Sequence, residues 1–332
     1  DTILEPSKTY YSIGVQPFFD YIFALLITSQ IKDPSEVTLT DALVSHEGAL
    51  QMVSILLLED YSYLITENRN FRENLSNKRL FDLACFSLSN VSPDSASKYI
   101  EFVKKMMSFN SDCLKNVVNK IILPVCRIEN HPLGAQVLHD YLMSYKKAGK
   151  RDIMWSVPSN LRYHAESPWK SYTKIDLMDK RYELYNEDKY TGIPLVHAWM
   201  LTTVDNIERV DYRKRLMKWA SIQPLEYYKL FKYTCGTNDP QMKEDLFAIA
   251  MGTVFMLEKG HPCIKLFGNW MIENVFASDK IGMYYSCAIR YYGRAIVERS
   301  YMLGEIKDED VDKCRPPYQT YGSIALNREA TS

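Results

Sequence analysis

Apolar residues recur along this chain three and four positions apart, the spacing that puts them on one face of an α-helix. Between Val15 and Ser29 they are Phe18, Phe19, Ile22, Phe23, Leu25 and Leu26. Between Gly48 and Ile65 they are Leu50, Val53, Ile55, Leu56, Leu57, Tyr61 and Leu64. Ser92 is placed to cap a helix whose first position is Pro93, and Tyr99, Ile100, Phe102, Val103, Met106 and Met107 supply its apolar face. Asp239-Pro240 repeats that start signal ahead of Leu246, Phe247, Ile249, Ala250 and Val254. Alternating strand patterns bounded by Asn-Gly or Asp-Gly are absent. The expectation is an all-α fold of about ten to fourteen helices joined by short polar links.

Helix pairs recur at roughly 35 to 45 residues, the spacing of degenerate helix hairpins. They span Gly48–Asn90, Ser92–Val125, Pro132–Ser156, Pro194–Ala220 and Asp239–Ala277. The pattern predicts an irregular array of antiparallel helix hairpins, a solenoid of the HEAT or TPR-like kind, because each amphipathic pair must bury its apolar face on a neighbour. One irregular helical domain is the competing architecture. Pro124 to Asn130 reads as a link to a helix beginning at Pro132, and Tyr190 to Pro194 as a second break. The stretch from Trp155 to Pro168, with two prolines, is the longest irregular one. It divides the chain into an expected N-terminal half, 1–155, and a C-terminal half, 170–318, with a polar tail over 319–332.

Composition narrows the function classes. The 332 residues carry a net charge of −1, which supplies no global attraction to nucleic acid or anionic membrane. The seven cysteines are odd in number, widely spaced and without a Cys-x-x-Cys, so neither a disulfide framework nor a zinc site is expected. The start has no basic stretch followed by an apolar core, and the longest apolar runs fall far short of the roughly 18 residues needed to span a bilayer. A cytoplasmic protein is expected. The chain opens in mid-pattern without an initiator Met, as a piece of a longer protein would.

Catalytic motifs do not emerge. There is no Gly-x-x-x-x-Gly-Lys-Ser/Thr, no Gly-x-Gly-x-x-Gly, no Gly-x-Ser-x-Gly and no His-Glu-x-x-His. His261 and Cys263 offer two metal ligands without a second pair. Ser-x-x-Lys occurs at Ser144–Lys147 and Ser167–Lys170 without companion motifs. Asp308, Glu309, Asp310 and Asp312 lack the alternating spacing and glycine of a calcium loop. Basic clusters at Lys146 to Arg151 and at Arg213 to Lys218 read as a loop and a wet helix face. No cofactor and no metal are expected. If an unfamiliar helical enzyme were present, Glu101 or Asp20 would be its candidate acid.

Several stretches, taken in order, resemble the C-terminal helical half of the antiviral STAND NTPases of prokaryotes, the AVAST defence family. Phe18 to Ala24 resembles the family's "Phe-Glu-x-x-x-Asp-x-x-x-Ala" helix, without its Glu. His131-Pro132-Leu133-Gly134-Ala135 to His139, then Arg151-Asp152 and Trp155, resembles "His-Pro-x-Asn-Ala-x-x-Leu-His … Arg-Asp-x-x-Trp", with Gly134 for Asn. Ala198-Trp199-Met200-Leu201-Thr202-Thr203 resembles "Ala-Trp-Leu-Leu-Thr-Ser". Asn238-Asp239-Pro240 to Gly252 resembles "Asn-Asp-Pro-Tyr-Val-x-Glu-Arg-Leu-Tyr-Ala-Val-Ala-Tyr-Gly". The last match carries Arg290, Tyr292, Arg294, Glu298 and Arg299 on one helix, followed by Arg315, Pro316, Pro317 and Tyr318.

The resemblance implies a non-catalytic, target-sensing array. Such a region recognises a folded viral protein, commonly a terminase or portal component, and binding promotes oligomerisation of the full chain and switches on its effector. The implied partners are a folded phage protein and other parts of the same full-length chain, with no membrane and no nucleic acid. The motif residues carry structural rather than catalytic roles: Asp239-Pro240 starts a helix, Trp155 and Trp199 fill the core, and Arg290, Arg294, Glu298 and Arg299 tie helices together. Arg294 lies four residues from both Arg290 and Glu298, so a paired network is expected there. A helical-repeat scaffold or adaptor with no NTPase partner remains the alternative.

Overall fold

The computed structural model describes residues 15–156, 175, 177, 179–277 and 286–316, and these are all-α, with no strand among them. Pro317, Tyr318, the expected tail, Ser167–Lys170 and 157–169 of the expected boundary lie outside the described residues. The first helices are α1 (Gln16–Ser29), α2 (Asp41–Ser45), α3 (Glu47–Tyr61), α4 (Arg69–Asn74), α5 (Asn77–Asn90), α6 (Pro93–Ser97) and α7 (Ile100–Phe109). Next come α8 (Ser111–Val117), α9 (Leu123–Val125), α10 (Ala135–Met143), α11 (Ala148–Met154), α12 (Ile193–Met200) and α13 (Asn206–Ile222). The last are α14 (Pro224–Thr234), α15 (Pro240–Met256), α16 (Pro262–Met271), α17 (Cys287–Met302) and α18 (Asp308–Asp312).

Short polar side chains start many of these helices, as expected at Ser92 and Asp239. Asn68, Ser76, Ser92, Asn110, Asp205, Asp239 and Ser286 each accept a hydrogen bond from a backbone N–H of the first turn. Pro93 and Pro240 occupy first helical positions, where a missing N–H costs nothing.

The helices stack as an array. α1 packs on α3, α3 on α5, α7 on α8, α10 on α12, α12 on α13, α13 on α15, and α15 and α16 on α17. One continuous core runs from Leu58 to Cys314 and includes Trp155, Trp199, Trp219, Tyr227 and Phe267, so buried side chains from both sides of the expected boundary share it. A second cluster, from Ala24 to Leu83, fills the N-terminal end.

Local departures from the sequence expectation have physical causes. The helix expected over Ser92–Met107 breaks between α6 and α7. There Lys98 Nζ and Tyr99 Oη both donate at 2.7 Å to Ser62, itself in the left-handed conformation that ends α3. Pro124 does not separate two helices. The helix runs through it, because a π turn over Val118–Ile122 absorbs the carbonyl that the proline ring would strike. The link therefore starts at Cys126, and the next helix begins at Ala135 rather than Pro132.

α1 is the largest departure. Its buried positions are Asp20, Ala24 and Thr28, while Phe18, Tyr21, Leu25 and Leu26 are exposed. Gly48 lets α3 approach so closely that an added Cβ would collide with the Asp20 carboxylate.

Buried histidines make the fold acid-sensitive. Loss of water pushes His139 and His197 down to about 4 and lowers His131. An imidazole whose folded value lies below its unfolded 6.5 binds fewer protons folded than unfolded, so stability falls as pH drops from 6.5 towards the folded value. One unit below the unfolded value the loss is about 1.4 kcal/mol per histidine that stays neutral. Burial raises Asp239 and Asp245, which titrate in the opposite sense and offset part of the loss in more acidic solution. Urea titrations should therefore show the chain roughly 2–3 kcal/mol less stable at pH 5.5 than at pH 7.5. That slope should flatten in His197→Asn, and a slope unchanged by the substitution would mean that other groups carry it.

Candidate functional site

Motif residues from three distant stretches meet in one largely buried polar network, with exposed Asn238 and half-buried Asp152 at its edge. Arg151, on α11, is almost wholly buried. Its guanidinium donates to Asp239 Oδ2 at 2.8 Å and to Asn238 Oδ1, and lies 5.5 Å from the Trp199 ring. Asn238 Nδ2 donates to the Tyr145 carbonyl at 2.9 Å, which fixes the amide's orientation. Asp239 Oδ1 accepts the Met242 backbone N–H at 2.8 Å, so one carboxylate both caps α15 and neutralises Arg151. Burial nevertheless raises Asp239 above the usual carboxylate range, against the pull of the Met242 N–H and Arg151.

The tryptophans extend the network. Trp155 Nε1 donates to the Trp199 carbonyl at 3.1 Å, and Trp199 Nε1 donates to His139 Nδ1 at 3.2 Å. His139 is thereby the Nε2-protonated tautomer, stacked on Tyr233 at 4.2 Å. Ser156 Oγ lies 3.3 Å from Asp152 Oδ1 and 3.1 Å from Thr202 Oγ1, and its single hydroxyl proton is shared between them. His131 stands apart from this set and accepts the Leu133 N–H at 3.2 Å, with Pro132 half-buried beside it. Gly252 faces Met217, whose Cε would touch an added Cβ at 3.0 Å.

The C-terminal motif forms a separate cluster. Glu298 gives both carboxylate oxygens to Arg315, each at 2.8 Å, and this pairing holds Glu298 below the usual range. The expected network of Arg294 with Arg290 and Glu298 is thus corrected: Arg315 takes the glutamate, and half-buried Arg294 acts on it only at longer range. Proximity on the helix was outcompeted by the planar two-point match of guanidinium to carboxylate. Arg299 lies 5.8 Å from the Phe255 ring of α15, and its buried Nε has no hydrogen-bond partner. Tyr292 packs on the core, and Pro316 is exposed.

The surface feature that sequence reasoning missed is a groove of about 860 Å³ between α5 and the α7–α8 corner. Phe81, Phe102, Met106 and Phe109 form its apolar lining, and Phe109 is 80% exposed. Lys78 on α5 and Lys105 on α7 stand on opposite walls, while Lys120 pairs with Asp82. A signal was present in the sequence. On α7, Val103 and Met107 are fully buried, Phe102 and Met106 pack partly on the same core, and Phe109, at i+7 from Phe102, carries that apolar side out into solvent.

Among the described residues no group of three or more His, Cys, Asp or Glu is placed to hold a metal ion, and no helix is long and apolar enough to cross a membrane. Burial pushes the Cys85, Cys126 and Cys314 thiols up to about 12, which leaves them protonated and poorly nucleophilic. Lys115 is buried, its Nζ has no hydrogen-bond partner, and loss of water lowers it to about 8 while Asp112 and Glu208 pull it back up. No family model, no curated protein and no solved structure matches this chain.

Two substitutions separate the polar clusters. Arg151→Ala strands Asp239 in the core, and a broken buried pair costs about 3–5 kcal/mol. Arg294→Ala should cost about 1 kcal/mol or less, as for an unpaired surface charge. Chemical denaturation of both variants checks the contrast, and equal midpoints would refute it.

Proposed function

We propose that this chain is the target-sensing module of a prokaryotic antiviral STAND NTPase, binding a folded phage protein of the terminase or portal type. One observation carries the resemblance beyond letter matches. His139, Arg151, Asp152, Trp155, Trp199, Asn238 and Asp239, quoted from three separate motifs, converge in a single network that is buried except at Asn238 and Asp152. Residues that match a family in order, and also depend on one another in space, fit a shared architecture better than chance does. Their burial supports a structural role for the motifs and leaves recognition to the surface.

The groove at Phe109 is the surface best suited to that task. Exposed aromatic and methionine side chains over a stiff helical wall supply binding energy with little ordering cost. The lysines on both walls add orientation. Binding to the groove would feed, in the full-length protein, the assembly that switches on the effector. The chain itself is non-catalytic in this reading and needs no cofactor. A P-loop region encoded upstream in the parent gene would separate it from a stand-alone helical adaptor.

The test is capture from nuclease-treated, phage-infected lysate with the wild-type chain and with Phe109→Asp. Recovery of a large phage assembly protein, weakly dependent on salt and reduced at least about tenfold by the substitution, is the expected result. Capture abolished by nuclease, or falling steeply with salt, would make the chain a nucleic-acid binder instead. Calorimetry with ATP and Mg²⁺ should show no saturable heat, since no phosphate-cradling loop is present in the sequence.

A further inference from the structure

Resting on the target-sensing reading above, we propose that the groove at Phe109 receives an amphipathic α-helix of the partner, with acidic residues on both shoulders of its apolar stripe. The floor of the groove is the rod made by α8 and the π turn that continues it, which presents Cys113, Asn116 and Lys120. α5 rests on the π turn and α7 rests on α8, so the two walls stand on one rod with the slot between them. Along α7, Phe102, Met106 and Phe109 line the slot over about 10 Å. That is two turns of helix, the length over which a docked helix sets apolar anchors at i, i+4 and i+7. Phe109 is the most exposed aromatic side chain among the described residues, and aromatic anchors carry much of the energy of such contacts.

The walls favour a helix over an extended segment. Residues in the middle of α5 and α7 use their backbone groups within their own helices, and no strand edge is present among the described residues. An extended segment laid in the slot would bury peptide groups without partners. A helix brings its own backbone hydrogen bonds and needs only apolar contact and charge from its surroundings.

Charge sets the rest of the occupant's chemistry. Two carboxylates line the slot, and each already faces a cation of this chain: Asp82 pairs with Lys120, and Asp112 acts on buried Lys115. Lys78 on α5 and Lys105 on α7 are exposed on opposite walls, and neither makes an ion pair among the described residues. A helix lying between them meets an unmatched ammonium on each side. Acidic shoulders complete the match, whereas basic shoulders are repelled from both walls.

Calorimetry with a synthetic peptide tests this: an alanine-based helix of about 16 residues, with leucines at i, i+4 and i+7 and glutamates flanking that stripe. It should bind the wild-type chain saturably, and the difference circular dichroism spectrum should show helix gained on mixing. The same peptide with lysines for glutamates should bind at least about tenfold more weakly. Lys78→Glu combined with Lys105→Glu should reverse that preference, and Phe109→Asp should weaken the glutamate peptide at least about tenfold. All three positions are exposed, so the melts of the variants should match wild type. No saturable binding of the glutamate peptide, equal binding of the two peptides, or binding untouched by Phe109→Asp overturns the proposal. Tighter binding of a single-stranded oligonucleotide in the same groove overturns it as well. Capture from lysate fails separately: no phage protein there would sink the sensing reading and leave the peptide result standing, while Phe109-dependent capture without peptide binding would sink the helical occupant alone.

Discussion

A guanidinium without water needs partners, and Arg151 finds them for both terminal nitrogens by recruiting groups from far along the chain, while its buried Nε goes without. Asp239 and Asn238 are 88 and 87 residues away, and Trp199 offers its ring face. The carboxylate that neutralises Arg151 also caps α15, so the start of that helix and the seating of α11 are set by the same atoms. Trp199, held by its contacts to Trp155 and His139, carries the constraint into α10 and α12. The rest of the array can drift only as far as this knot allows, because unpaired burial of either charge costs several kcal/mol.

What the chain disclosed in advance followed from local physics. The all-α class, the caps at Ser92 and Asp239, and the first-position prolines depend on residues within one turn of each other. Pairing across 60 to 90 residues left no such trace. The sequence shows that Arg151 and Asp239 are present, and nothing in it says that they touch. Proximity even misled at Arg294, since Glu298 is four residues away on one helix and Arg315, seventeen away, offers the better geometry. Periodicity has its own blind spot: it reveals that a helix has an apolar stripe without saying which way the stripe faces. On α1 the neglected clue was the small stripe Asp20, Ala24 and Thr28, which can approach α3 more closely than bulky residues can.

Polarity inside this molecule is spent on shape, and adhesion is left to the outside. The histidines are held neutral, the thiols are held protonated, and buried Asp239 and Asp245 face arginines. The groove at Phe109 and the outer side of α1 lie apart from the polar knot, so substitutions there leave its contacts in place.

The π turn before Pro124 has a consequence for how this chain tolerates change in length. It inserts one residue into an otherwise α-helical rod, and each residue turns the rod by about 100°. Ile121, Ile122, Leu123 and Val125 reach the core with that extra rotation in place, and Lys120 reaches Asp82 across the groove. Deleting a single residue from Val118–Ile122 would leave the composition almost untouched. It would swing Lys120 off its carboxylate and turn core residues towards water, with Pro124 again opposed by a carbonyl. The azimuth of a charge on the groove rim is thus encoded in a residue count, and a one-codon deletion there would act as a rotation.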